Sequence, residues 1–147
     1  MLRLRRKGWN KADFERTAES CYDLMNEAFA KGDKQTLETI CMSGMYSKLK
    51  NEIKNRKGRF EWKKTRTLAP PTIVQARIGK LGKDMSLGQL VVKIEQEQAV
   101  AVYNKANQLA AGDISKPVRV KEYIVFQCMV TDPNSRWMIY GKLNEGK

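Results

Sequence analysis

VRVKEYIVFQCMV, running from Val118 to Val130, decides the fold. Val118, Val120, Ile124, Phe126, Cys128 and Val130 all sit at even positions, so an extended chain places them on one face. The stretch is too rich in β-branched and aromatic residues, and too regular in its alternation, to read as a helix. Asp132-Pro133-Asn134-Ser135 follows as a turn, and Arg136–Leu143 returns as a closing strand with Trp137, Ile139 and Leu143 inward.

Working backwards, the same alternation reaches Arg59. Leu87–Glu97 reads as a strand, and Ala99–Tyr103 continues it after a bulge. Gly82-Lys83-Asp84 is a turn. Thr72–Leu81 is a strand with Val74, Ala76 and Ile78 on one face, and Phe60–Leu68 is another, stopped by Pro70-Pro71. Asn104-Lys105-Ala106-Asn107 is turn-like and leads into a short return through Leu109.

Before Arg59 the period changes. Asn10 is placed to cap a helix, with Asp13 three residues on. Phe14, Ala18, Cys21, Met25 and Ala28 then recur at helical spacing, and Asp13, Glu15 and Glu19 gather early, where the helix dipole favours acids. Gly32 ends this helix. Asp33 caps a short second one running to about Cys41, which buries Leu37 and Ile40. A third follows Ser43, with Met45, Leu49 and Ile53 on one side and Gly58 at its end. The expected fold is α+β: three N-terminal helices packed on a curved antiparallel sheet. Residues 1–9 read as a basic N-terminal arm and 10–147 as a single domain.

Charge narrows the function. The chain has 147 residues, a formal net charge of +12 and no histidine. The excess of cations calls for an anionic partner, either nucleic acid or an anionic lipid surface. The lack of histidine removes the commonest general base and metal ligand, so binding is favoured over catalysis. Cys21, Cys41 and Cys128 are scattered, apolar in context and form no CxxC, so they read as small buried hydrophobes and not as a zinc site. Gly79, Gly82 and Gly88 match no phosphate-loop spacing. Glu95 and Glu97 share a strand face without a nucleophile and read as its polar outer side, while Tyr103, Tyr123 and Tyr140 are core or rim residues. Neither catalytic residues, nor a metal, nor a cofactor is expected.

The densest charge runs from Lys48 to Arg66, with nine basic residues against Glu52 and Glu61. On a helix Lys50, Lys54 and Lys57 fall within about 60° of one another, beside the core stripe. Arg56 lies off that stripe. Arg59, Lys63, Lys64 and Arg66 continue the run into the first strand. Such a row matches phosphates along an RNA backbone, where affinity comes from counterion release, and the arginines add forked contacts. Arg3, Arg5, Arg6 and Lys7 of the arm would add nonspecific contacts. Phe60 and Trp62, interleaved with these cations, read as the inward side of the strand.

Several segments resemble one known family in the same order. They are Ala30–Leu37, Lys64–Leu68, Ile73–Arg77, Gly88–Lys93, Ala99–Asn104, Val120–Phe126 and Asn134–Ile139. Across about residues 20 to 143 they resemble the domain family of the inner-membrane translocase tether, the Tim-forty-four-like domain. The resemblance implies a cone-like fold of the nuclear-transport-factor-two type. It also implies the matrix side of the mitochondrial inner membrane, where ribosomal members bind large-subunit rRNA and neighbouring ribosomal proteins near the polypeptide exit tunnel. Those members help dock the ribosome at the inner-membrane surface or its insertion machinery, with no small-molecule substrate. The alternative within the family is an import-motor tether that binds anionic lipid and translocase components.

Overall fold

The computed structural model describes residues 9–143. Three helices come first: α1 (Lys11–Lys31), α2 (Lys34–Ile40) and α3 (Ser43–Asn55). Five strands follow: β1 (Phe60–Gly82), β2 (Met85–Tyr103), β3 (Leu109–Gly112), β4 (Val118–Met129) and β5 (Met138–Leu143). All pair antiparallel, in the order β1-β2-β4-β5, with β3 on the far end of β2. The spine is the β2–β4 pair, which runs from Leu87↔Met129 to Gln98↔Val118 without a register shift. The α+β class is as the sequence predicts.

Local chemistry sets the helix ends. Asn10 Oδ1 accepts from the Asp13 N–H at 3.1 Å, and Asp33 Oδ1 does the same for Thr36. Gly32 takes φ +76° at the end of α1, a left-handed conformation that glycine adopts without steric cost. Gly58, expected to end α3, has another role. The helix stops at Asn55, and a Cβ on Gly58 would lie 1.8 Å from the Tyr103 carbonyl oxygen, so glycine is needed there for close backbone approach.

The core lies between the helices and one sheet face. Phe14, Ala18, Tyr22, Met25 and Ala28 of α1, Leu37 of α2, and Met45 and Leu49 of α3 meet Leu90, Val92, Ile94, Ile124, Phe126 and Ile139. Phe14 packs edge-on against both Phe126 and Trp137, with ring centroids 5.5 Å apart in each case. Between α2 and α3 the chain bridges to β5: the Met42 N–H donates to the Ile139 carbonyl at 2.8 Å, covering part of that sheet edge.

Five expectations change. Pro70-Pro71 does not stop the strand; β1 runs through it, with register shifts between Ala69 and Thr72 and again between Ile73 and Gln75. Proline is tolerated because β1 is an edge strand and its missing donors fall in a bulge. Of the expected apolar face, Val74 sits in a bulge and Ile78 lies beyond the reach of the helices, so both are exposed. Val118, at the far end of β4, is likewise exposed. Leu143 was expected inward; a bulge at Tyr140 reverses the alternation, pairing Gly141 with Val125 and placing Leu143 on the outer face. Finally, Tyr22 is fully buried where Cys21 was expected, and Cys21 and Ile40 are only half-buried.

The bulge after the prolines leaves the Ile73 N–H turned away from β2, and Glu15 Oε2 of α1 accepts it at 2.8 Å. Glu15→Ala should cost about 1–3 kcal/mol in urea unfolding by stranding this donor, and Glu15→Gln, which keeps an acceptor, should cost less. The buried thiols give a pH signature. Burial pushes Cys41 up to about 12 and Cys21 to about 11. Tyr22 is also raised, by burial and then by the Glu122 carboxylate beside it. A raised acid favours the folded state fully below its unfolded value. Stability should therefore hold up to about pH 8.5 and fall as the pH climbs towards 11, read as the urea midpoint. Cys41→Ala should flatten part of that fall.

Candidate nucleic-acid interface

The structure sorts the predicted cations into two groups. Lys50 and Lys54 stand exposed on α3, one turn apart, and Lys57 is exposed in the extended link that follows. Lys63 is exposed on β1. Among the described residues none of these four makes an ion pair; Lys50 only rests its ammonium 5.8 Å from the centroid of the Tyr46 ring. Arg66 is exposed and touches Glu97 at 3.5 Å, a contact of little energetic weight in water.

The other group is engaged within the molecule. Arg56 donates to the Phe29 carbonyl at 2.9 Å and the Ala30 carbonyl at 3.0 Å, so it caps the C-terminal end of α1. Its guanidinium also lies over the Phe29 and Phe60 rings, 5.3 and 5.6 Å from their centroids. Lys64 bonds Asp23 Oδ2 at 2.5 Å and lies 3.9 Å from Glu19 Oε2. Arg59 stacks on Tyr103 at 3.9 Å, pairs with Glu61 at 3.1 Å and bonds Asn107. The continuous row expected through Arg56, Arg59 and Lys64 is therefore interrupted. Lys57 also leaves the helical stripe, because α3 ends at Asn55. Arg3, Arg5, Arg6 and Lys7 lie outside the described residues.

Strand alternation explains the split. Phe60, Trp62 and Lys64 face the helices, whereas Lys63 faces away. Phe60 meets Phe29 edge-on at 5.3 Å, and the Trp62 indole donates to Gln98 Oε1 at 3.1 Å. Neither ring is free to stack on a base.

Between α1 and the sheet lies a polar network that the sequence reading missed. Tyr22 donates its hydroxyl to Glu122 and accepts from Gln98 Nε2 at 2.8 Å. Gln96 Nε2 donates to Glu19 at 2.8 Å and to Asp23 at 2.6 Å, and Thr67 adds a bond to Glu19 at 2.8 Å. Lys142 pairs with the second Glu122 oxygen at 3.1 Å. The signal was present: Gln96 and Gln98 interrupt the apolar register of Leu90, Val92 and Ile94, and Glu19 and Asp23 flank Tyr22 on α1. Chemically the network binds α1 to the sheet. Its phenol is held protonated, and its carboxylates already accept from Tyr22, Gln96, Thr67 and lysines. Among the described residues no cluster of three or more histidine, cysteine or carboxylate side chains could hold a metal.

The two groups of cations should respond differently to mutation. Arg56→Ala uncaps α1 and should lower stability by about 1–3 kcal/mol in thermal or urea unfolding. Lys54→Glu, on an exposed helix face, should stay within about 0.5 kcal/mol of the parent.

Residues 1–143 match the model of the Tim44-like domain family. The chain is also similar to animal proteins called large ribosomal subunit protein mL45. It is 26% identical to that of Bos taurus over 132 residues, covering 89% of this chain and 42% of the relative. It is 24% identical to that of Drosophila melanogaster over 138 residues, covering 93% and 38%. To that of Caenorhabditis elegans it is 28% identical over 149 residues, covering 96% and 41%. The chain thus spans about two-fifths of the length of these relatives. With the family model matched over nearly its whole length, the chain belongs to the Tim44-like domain family.

Proposed function

We propose that this chain serves the mitochondrial large ribosomal subunit as a non-catalytic component that holds rRNA, near the polypeptide exit tunnel and peripheral to the inner membrane. Its likeness to ribosomal proteins of several animals supports the assembly. The observation that carries the RNA contact is the group of exposed lysines that make no ion pair among the described residues, Lys50, Lys54, Lys57 and Lys63, joined by Arg66, whose one ion pair is a loose 3.5 Å contact. Lysines that the fold leaves unpaired are available to replace the counterions around phosphate. Arg56 and Lys64 serve the fold, and Arg59 does so in part. Neighbouring ribosomal proteins complete the set of partners. No described helix is long and apolar enough to cross a membrane.

The test is the Lys50→Glu, Lys54→Glu, Lys57→Glu triple variant in mitochondria lysed with mild detergent. The parent should co-sediment with the large subunit through a sucrose gradient and leave it when magnesium is chelated. The variant should leave at moderate salt. Loss of three phosphate contacts should flatten the logarithmic salt dependence by about two to three units. Retention of the variant at every salt concentration would move the RNA face elsewhere. Sedimentation of the parent as a small complex free of rRNA would transfer the domain to the import-tether role, with the same lysines on anionic lipid.

A further inference from the structure

The sheet face without helices carries an unexplained groove. On that face Gln75 of β1, Val91 of β2 and Val125 of β4 share one row, and Arg77, Gln89 and Gln127 the next. Only Met42, at the start of α3, reaches this row, its sulfur accepting from Gln127 Nε2 at 3.3 Å, yet Val91 and Val125 are each only 6% exposed. The surface is recessed here, and these valines form the floor of the recess. Two adjoining hollows, about 230 and 120 Å³ in volume, share Arg77 and Gln89 and run from Leu81 and Leu87 to Tyr140 and Leu143. Three side chains along this path are conspicuously exposed for their size: Leu81 at 55%, Tyr140 at 52% and Leu143 at 48%. A cluster of large apolar side chains left in water marks a contact surface.

The chemistry of the groove selects the partner. Its floor is aliphatic and its walls carry carboxamides: Gln89 Nε2 donates to Gln127 Oε1 at 2.7 Å. With its amide turned so that the oxygen faces Arg77, Gln75 accepts from Arg77 Nη2 at 2.9 Å and Nε at 3.1 Å. At one end the groove side of the hairpin carries Arg77, and the turn adds Lys83 against one acid, Asp84; Lys80, opposite Ser86, falls on the other face. A flat bilayer would meet projecting residues first and would not reach a recessed floor. Unpaired bases would require aromatic platforms, and Tyr140 is the one exposed ring on this path. A rod with an apolar stripe and acidic flanks meets both the recess and the charge.

We propose that this groove docks an amphipathic, acidic segment of a partner protein. Apolar side chains of the segment cover Val91, Val125, Leu81 and Leu143, and its carboxylates meet Arg77 and Lys83. The inference is independent of the RNA contact proposed for α3.

The test uses the full chain in mitochondria, with benzoylphenylalanine introduced at Leu81 or at Tyr140. Irradiation should join both positions to one protein, and peptide mapping should find an apolar stripe flanked by Asp and Glu. The combined Arg77→Glu, Lys83→Glu change should cut that cross-link several-fold, and Lys80→Glu on the other face, or Lys50→Glu with Lys54→Glu, should leave it intact. Cross-links to RNA or lipid, no cross-link at all, or a protein cross-link indifferent to the hairpin charges would each overturn the proposal. A cross-linked protein from outside the ribosome would uphold the groove while counting against the ribosomal reading.

Discussion

Three carboxylates on α1, spaced one turn apart at Glu15, Glu19 and Asp23, hold the helix to the sheet. Glu15 reaches the Ile73 N–H, Glu19 the Thr67 hydroxyl, Asp23 Lys64, and Glu19 and Asp23 share the Gln96 amide. Hydrophobic packing alone would let a helix slide along a sheet by part of a turn, because burial is not directional. This ladder of directed bonds makes one position better than its neighbours. It also satisfies polar groups whose burial would otherwise carry a cost. With α1 placed, Arg56 can close on the end of α1, and α3 follows with its lysines facing water.

The ladder accounts for much of the difference between charge in the sequence and charge on the surface. Lys64 and Arg56 carry the same formal charge as Lys54, but their fields are answered by carboxylates or by carbonyl oxygens at a helix end. Polyanion binding depends on the cations that remain unanswered. In the proposed RNA contact the net charge would attract the partner at long range, and the placement of a few lysines without a described ion pair would determine which face meets it.

Class and element order were legible in the sequence because periods of 3.6 and 2 leave strong marks. Asn10, Gly32 and Asp33 announced their caps correctly, and the even positions from Ile124 to Cys128 pointed inward as expected. Features created by pairing were not legible. Pro70-Pro71 stops a central strand but not an edge strand, and nothing local to the dipeptide says which it occupies. The bulge at Tyr140, which turned Leu143 outward, exists only in relation to β4. The same limit applied to the candidate interface. Lysines and arginines in a row look equivalent until the acids opposite them, distant in sequence, are brought into place. Gln96 and Gln98 did stand out within an apolar register, as buried polar residues do when they have partners elsewhere.

The bulged course of β1 has a consequence for the molecule in a crowded compartment. An edge strand of 23 residues presents a long row of unpaired peptide groups, a template on which another extended chain could grow. Here the row is broken repeatedly: two prolines withhold donors, the shifts after Lys64, Thr67, Ala69 and Ile73 reset its alternation, and Glu15 occupies the Ile73 N–H. Irregularities that obscured the strand in the sequence thus make its edge a poor template for another extended chain.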